Sequence, residues 1–170
     1  MKTIILVRHA KSSWDSSITN DRERPLNERG FRDAQFMAEK FLERQITPDV
    51  ILSSPALRAI TTSKYFAEKL NFLDNSIFVE EDIYNKGTGN ILKLINKLDN
   101  SINKCMIFGH NPEITELSTF FSMDIFAHVP TCGIVCLVFN ANDWEELTSF
   151  QAKVTFFDFP KRYLKSKYKE

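Results

Sequence analysis

Three short apolar runs constrain the fold of this chain more than any other feature of its sequence. They cover residues 4–7, 50–52 and 106–108, and none of them alternates apolar with polar residues. Such runs are typical of strands that are buried on both faces, as in parallel sheets. Longer segments between them, such as residues 31–42, carry apolar residues at helical spacing. The pattern predicts an α/β fold, a three-layer sandwich in which helices flank a mostly parallel central sheet.

Proline pairs indicate where two of the helices begin. Ser54-Pro55 and Asn111-Pro112 each combine a helix-capping residue with a proline that fits the first turn, and Asn27 is a third candidate cap. We therefore predict helices over about residues 27–44, 54–70, 89–98 and 111–121. Predicted strands cover residues 3–7, 49–52, 77–79, 105–108, 133–139 and 148–157.

Composition places further limits on function. The 170 residues suit one domain, which we assign to residues 1–160, with a charged tail at 161–170. The 22 basic and 22 acidic residues cancel, so no bulk charge attracts nucleic acid and any anion site must be local. No signal peptide and no apolar stretch of about 20 residues is recognisable. We expect a cytoplasmic protein with no membrane partner, and, since no coiled-coil seam is present, a monomer.

Each of the three apolar runs is followed by cationic or imidazole side chains. Arg8 and His9 follow the first run, Arg58 comes shortly after the second, and His110 follows the third. Ligands of open α/β sheets bind at the carboxyl ends of the strands, so we expect these four residues at one crevice. Each alone has a structural explanation, as a hydrogen-bonded histidine or a solvated arginine. A cation such as Arg58 in a first helical turn, however, opposes the helix dipole unless an anion binds there.

This combination of side chains suits a phosphoryl group. Two guanidinium groups match its geometry and oppose its charge, and imidazole is a nucleophile that titrates near neutral pH. The sequence contains neither a GxxxxGK[ST] phosphate loop nor an HExxH motif. Cys105, Cys132 and Cys136 lack a zinc-binding spacing, and we expect them to be reduced core thiols. We therefore expect no metal and no other cofactor.

The motifs around these residues resemble the histidine phosphatase superfamily, whose members share a phosphoglycerate mutase-like fold. The resemblance rests on VRHAKS, SSPALRA and FGHNP, in this order, and RHAKSSW, DRERPLNERG and VPTCGIV are similar to SixA-type phosphohistidine phosphatases. It implies that His9 is a nucleophile that becomes phosphorylated. It also implies that the transferring phosphoryl group is bound by Arg8, Arg58 and His110. Ala10 stands where the superfamily usually has glycine, and a small residue is kept.

The same resemblance indicates which class of substrate to expect. Larger superfamily members insert a helical segment where this chain has only residues 80–84. This implies an open site suited to a phosphorylated protein, such as one of a bacterial phosphorelay or phosphotransfer system. One alternative is a small phosphate ester as substrate. Another is a module that binds phosphoproteins without catalysis, although the presence of both His9 and Arg58 argues against it.

Two further sets of residues are candidates for the site. Many superfamily members protonate the leaving group with a carboxylic acid, which makes Glu81 and Asp82, or the neighbouring Glu80, possible general acids. A phosphohistidine substrate needs such an acid less, because imidazole can take up a proton near neutral pH. The polar segment 11–29 offers possible phosphate or substrate ligands, or else solvated loop residues, which are Lys11, Ser12 and Arg24.

Overall fold

The computed structural model describes residues 1–15, 17–72 and 76–164, which form six strands and five α-helices. The strands are β1 (Lys2–Arg8), β2 (Val50–Ser53), β3 (Ile77–Val79), β4 (Lys104–Gly109), β5 (Ile134–Phe139) and β6 (Lys153–Asp158). The helices are α1 (Glu28–Leu42), α2 (Leu57–Lys69), α3 (Thr88–Asn96), α4 (Glu113–Phe121) and α5 (Pro160–Leu164).

All six strands join one sheet in the order β3-β2-β4-β1-β5-β6. The first four strands of this order are parallel, β5 is antiparallel to β1, and β6 is antiparallel to β5. β1 and β4 are buried along nearly their whole length, because helices cover both faces of the sheet. The predicted three-layer α/β sandwich with a mostly parallel sheet is therefore confirmed.

Alternate side chains of β1 enter two separate cores on opposite faces of the sheet. Ile4 and Leu6 belong to a core that includes residues of α3 and α4, whereas Ile5 and Val7 belong to one that includes residues of α1 and α2. Burial of each such aliphatic side chain contributes roughly 1.5–3 kcal/mol. The two cores fix the position of β1, and therefore of the residues that follow it. The three cysteines are buried and unpaired, as expected of core thiols.

The two proline pairs do not start helices in the predicted way. Ala56, and not Ser54, is the N-cap residue of α2, and it makes no side-chain cap. Pro112 is the N-cap residue of α4, and the side-chain amide of Asn111 donates to the carbonyl of Val129 at 3.0 Å. Both capping predictions are wrong because the polar side chains make other contacts at the strand ends.

The last predicted strand also begins too early. β6 begins only after residue 152. A short 3-10 helix, Trp144–Glu146, with Trp144 buried, comes first. Phe150 then has a φ of 59°, which interrupts the extended backbone that a strand requires. The predicted charged tail begins within α5, where Tyr163 packs on Phe36 of α1 with ring centroids 5.6 Å apart. Residues 165–170 of this tail lie outside the described part of the chain.

None of the described helices is long and apolar enough to cross a membrane.

Candidate active site

The carboxyl ends of β1, β2 and β4 meet at one edge of the sheet. Arg8 pairs with Gly109 in the register of β1 and β4, and the N–H of Ser54 donates to the carbonyl of Phe108 at 2.9 Å. This alignment brings the four residues expected at one crevice to a single cavity of about 250 Å³, which we call the phosphoryl cavity. Its lining includes Arg8, His9, Arg58 and His110.

His9 presents an unprotonated nitrogen to its neighbours. Its Nδ1 lies 2.7 Å from the carbonyl oxygen of Ala10, and because a carbonyl only accepts, Nδ1 carries the ring proton. The other nitrogen, Nε2, accepts from Nε of Arg58 at 3.4 Å. Burial first, and then His110 and two arginines, hold the pKa of His9 well below 6.5, although the bond to Ala10 opposes this shift. The Nε2 lone pair is therefore available at neutral pH.

His110 is also neutral at physiological pH. Its Nδ1 lies 3.4 Å from Nη2 of Arg58, which can only donate, so Nε2 carries the proton and donates to the hydroxyl of Ser54 at 2.7 Å. Burial and the Arg58 charge lower the pKa of His110 to about 4. An anion bound in the cavity would raise this pKa and favour a second proton on Nδ1.

The two arginines are oriented by backbone carbonyls. Nη1 of Arg58 donates to the carbonyl of Asp21 at 2.6 Å, and Nη1 of Arg8 donates to that of Val129 at 2.9 Å. Burial lowers the pKa of Arg8, but a guanidinium remains a cation at neutral pH. Nε of Arg8 is buried and has no hydrogen-bond partner among the described residues. Both side chains are thus fixed as cations beside His9.

Asp21 belongs to the site although it was not among the residues predicted for it. Its carboxylate accepts from Arg24 at 2.7 Å, from Arg58 at 3.0 Å and from the hydroxyl of Tyr84 at 2.9 Å. Partial burial would raise the pKa of Asp21, but the bonds from Arg24, Tyr84 and Arg58 outweigh it and lower that pKa to about 2. The available signal was its place as the first residue of DRERPLNERG, three residues before Arg24.

The three candidates from the polar segment lie at the phosphoryl cavity, where Lys11, Ser12 and Arg24 all contribute to the lining. Arg24 organises this wall. It donates to the hydroxyl of Ser12 and to the carbonyl of Ser13, and its guanidinium lies 3.7 Å from the ring centroid of Trp14. The remaining lining residues are Trp14, Asn85, Asn111 and Thr131.

The candidate general acids lie elsewhere. Glu81 forms an ion pair with Arg22, and Asp82 forms one with Lys86, all on exposed surface. Neither carboxylate lines the phosphoryl cavity in the described part of the chain, because the short 3-10 helix Glu81–Ile83 directs them outward. The described residues also contain no group of three histidine, cysteine or acidic side chains that could hold a metal ion.

Residues 4–90 match the sequence profile of the histidine phosphatase superfamily (branch 1), and the chain belongs to that superfamily. The matched segment includes Arg8, His9 and Arg58 and ends before His110. Membership supports a phosphatase activity. The predicted superfamily is therefore confirmed.

Within the superfamily, the architecture is that of SixA proteins. The structure is similar to SixA from Agrobacterium tumefaciens at 27% identity and a TM-score of 0.77, covering 94% of this chain and 98% of that one. A protein histidine phosphatase SixA in complex with tungstate shares the fold, with a TM-score of 0.81 at 20% identity, over 95% and 99% of the two chains. An uncharacterized chloroplastic protein of Arabidopsis thaliana is 29% identical over 153 residues, which cover 85% of this chain and 70% of that protein.

Proposed function

We propose that this protein is a protein phosphohistidine phosphatase that acts through a phosphorylated His9. One observation carries the proposal: the unprotonated Nε2 of His9 lies 3.4 Å from the guanidinium of Arg58 in a single cavity, while the carbonyl of Ala10 fixes the other ring nitrogen. A nucleophile and the cations that oppose phosphoryl charge are thus already in place.

In the first step, Nε2 of His9 attacks phosphorus in line with the bond to the leaving nitrogen. The new N–P bond forms as the substrate's N–P bond breaks. Arg8 and Arg58 oppose the charge on the equatorial oxygens, and His110 donates from Nδ1 once the bound anion has raised its pKa. The leaving imidazole departs as a neutral ring when its other nitrogen carries a proton.

In the second step, water attacks phosphorus and the bond to His9 breaks. Both protons of the water leave with the product as dihydrogen phosphate, and Nε2 of His9 regains its lone pair. The proton stays on Nδ1 of His9, which donates to the carbonyl of Ala10 through both steps, so the same tautomer starts the next cycle.

The position of the acidic side chains favours phosphohistidine over a phosphate ester. An alkoxide leaves poorly unless an acid protonates it, whereas imidazole can leave neutral. Glu81 and Asp82 are engaged in surface ion pairs. The carboxyl of Asp21 has a pKa of about 2, so it is ionised at neutral pH and is a poor proton donor. A phosphorylated protein of a phosphorelay or phosphotransfer system therefore suits the site better than a small phosphate ester.

The test compares the rates at which the protein hydrolyses a phosphohistidine protein, p-nitrophenyl phosphate and a sugar phosphate. All three reactions are run in the presence of a metal chelator. We expect the phosphohistidine protein to have the highest kcat/KM, and His9→Ala to abolish its hydrolysis. His128→Ala is the matched control, because it removes a histidine that makes only one hydrogen bond to Arg8. We expect it to lower kcat/KM by up to about tenfold and to leave hydrolysis measurable. A sugar phosphate as the best substrate would support a small-molecule phosphatase instead.

A further inference from the structure

A second cavity, of about 540 Å³, adjoins the phosphoryl cavity. The two cavities share Arg8, Lys11 and Thr131 as lining residues. The second one is formed where the first turns of α1, the segment before β5 and the start of α5 meet. Because the two cavities share these residues, a protein segment bound at His9 can reach the second cavity as well.

Basic side chains dominate this second cavity. One acidic residue, Asp33, lines it together with five basic residues, which are Arg8, Lys11, Arg29, Arg32 and Lys161. Asp33 pairs with Arg29 at 3.3 Å. Across the described ranges, no acidic side chain forms an ion pair with Lys11, Arg32 or Lys161. In a chain whose net charge is zero, this concentration is local and attracts anions to one place.

The cavity also has an apolar part. Pro130, Phe159 and Pro160 contribute to its lining beside the basic residues. A free inorganic anion would not use such a surface, whereas the aliphatic stem of a glutamate can lie on it while the carboxylate meets a cation. The mixture of apolar and cationic groups therefore fits acidic side chains of a polypeptide better than an isolated ion.

We propose that this cavity binds acidic side chains that flank the phosphohistidine of the substrate protein, and we call it the flank subsite. The proposal rests on the proposed function, because it takes the substrate to be a phosphohistidine protein. The flank subsite would select the partner, while the phosphoryl cavity carries out the chemistry that all such partners share.

The test measures binding of peptides that contain a non-hydrolysable triazolylphosphonate analogue of phosphohistidine. Three peptides carry glutamate, glutamine or lysine on both sides of the analogue. We expect the glutamate peptide to bind to the protein about tenfold more tightly than the glutamine peptide, since each exposed ion pair shifts Kd by up to about fivefold. Added salt should reduce this preference.

Substitutions in the flank subsite test whether its basic side chains cause the preference for the glutamate peptide. Lys161→Gln and Arg32→Gln should each reduce the glutamate preference at least about twofold. Lys153→Gln is the matched control: Lys153 pairs with Val138, which pairs with Thr3, so it lies at the opposite end of the sheet from Arg8. It should keep the full preference. A glutamate preference that is absent, or that survives both Lys161→Gln and Arg32→Gln, overturns the proposal.

Two further outcomes separate the flank subsite from the proposed function. Binding of the analogue requires no turnover, so an intact glutamate preference with no hydrolysis of phosphohistidine peptides would contradict the proposed function and support the subsite. Equal Kd values for all three peptides, together with weaker binding of 3-phosphoglycerate to Lys161→Gln, would overturn the subsite's assignment to an acidic protein flank. A small phosphate ester that also carries a carboxylate would then be its ligand.

Discussion

At the scale of single residues, Asp21 is the carboxylate that orders the cationic wall of the phosphoryl cavity. It accepts from Arg24, Arg58 and Tyr84, yet it is not among the residues that line the cavity in the described part of the chain. Its negative charge also raises the pKa of His110 against the larger effects of burial and Arg58. Asp21 is thus a positioning residue with an electrostatic effect that can be measured separately.

Replacing this carboxylate by an amide should separate the two effects. We expect Asp21→Asn to lower kcat about tenfold to a hundredfold, since charge-assisted hydrogen bonds contribute roughly 1.5–3 kcal/mol, and Asp21→Glu to restore part of the loss. NMR titration of the His110 ring should show a pKa lower than in the unmodified protein. Unchanged kcat together with an unchanged titration would contradict this role.

The sequence motifs predicted one site for Arg8, His9, Arg58 and His110, because each of these residues follows a buried strand within a few residues. Asp21 could not be selected in the same way. It begins a single turn of 3-10 helix, Asp21–Glu23, and only the folded chain shows that this turn meets Arg58 in α2. Long-range contacts of loop residues leave no periodic pattern in the sequence.

At the scale of elements, the start of α1 is joined to the segment after β1. The N–H of Asn27 donates to the carbonyl of Lys11 at 3.0 Å, and the Asn27 side chain caps α1 by accepting from the N–H of Gly30. A Cβ on Gly30 would lie 2.0 Å from that same Lys11 carbonyl oxygen. The close approach holds Lys11 and Ser12 at the wall of the phosphoryl cavity.

Two glycine substitutions test this junction. Gly30→Ala should lower the free energy of unfolding by roughly 1–3 kcal/mol, because the clash is with backbone and outweighs the better helix propensity of alanine, and it should reduce kcat/KM. Gly89→Ala in α3 is the matched control, since no atom lies within 4 Å of its Cβ; we expect stability equal or higher by up to about 1 kcal/mol. Equal thermal unfolding of the two variants would contradict the account.

The sequence predicted the order and type of the elements better than their ends. Apolar runs identified the strands, because burial on both faces excludes polar residues from them. Helix starts were predicted from local capping chemistry. These predictions were wrong where the side chain expected to cap the helix bonds to a residue distant in the sequence. Ser54 is the clearest example, since its hydroxyl accepts from His110 and the cap passes to Ala56.

At the scale of the whole molecule, keeping two histidines neutral makes stability depend on pH. The folded-state pKa of His9 and that of His110 are both lowered from 6.5, the latter to about 4. Below about pH 6.5 the unfolded chain therefore binds protons that the folded chain does not, and the free energy of unfolding falls with falling pH. Each imidazole contributes up to about 1.4 kcal/mol per pH unit within its window.

Urea unfolding at pH 7.5, 6 and 5 measures this dependence. We expect the free energy of unfolding to decrease from pH 6 to pH 5, and His110→Asn to reduce the slope to about half, whatever its effect on stability at pH 7.5. A free energy of unfolding that is constant over this range would show that the buried imidazoles are not held neutral.

In the proposed mechanism Nε2 of His9 carries the phosphoryl group between the two steps, and this intermediate can be trapped. The protein is mixed with a phosphohistidine protein, quenched in alkali after milliseconds, digested and examined by mass spectrometry. We predict an acid-labile phosphoryl group on the peptide that contains His9, formed and lost at rates compatible with turnover, and its absence from His9→Ala. Full turnover by His9→Ala, or a phosphoryl group trapped on another residue, would contradict the account.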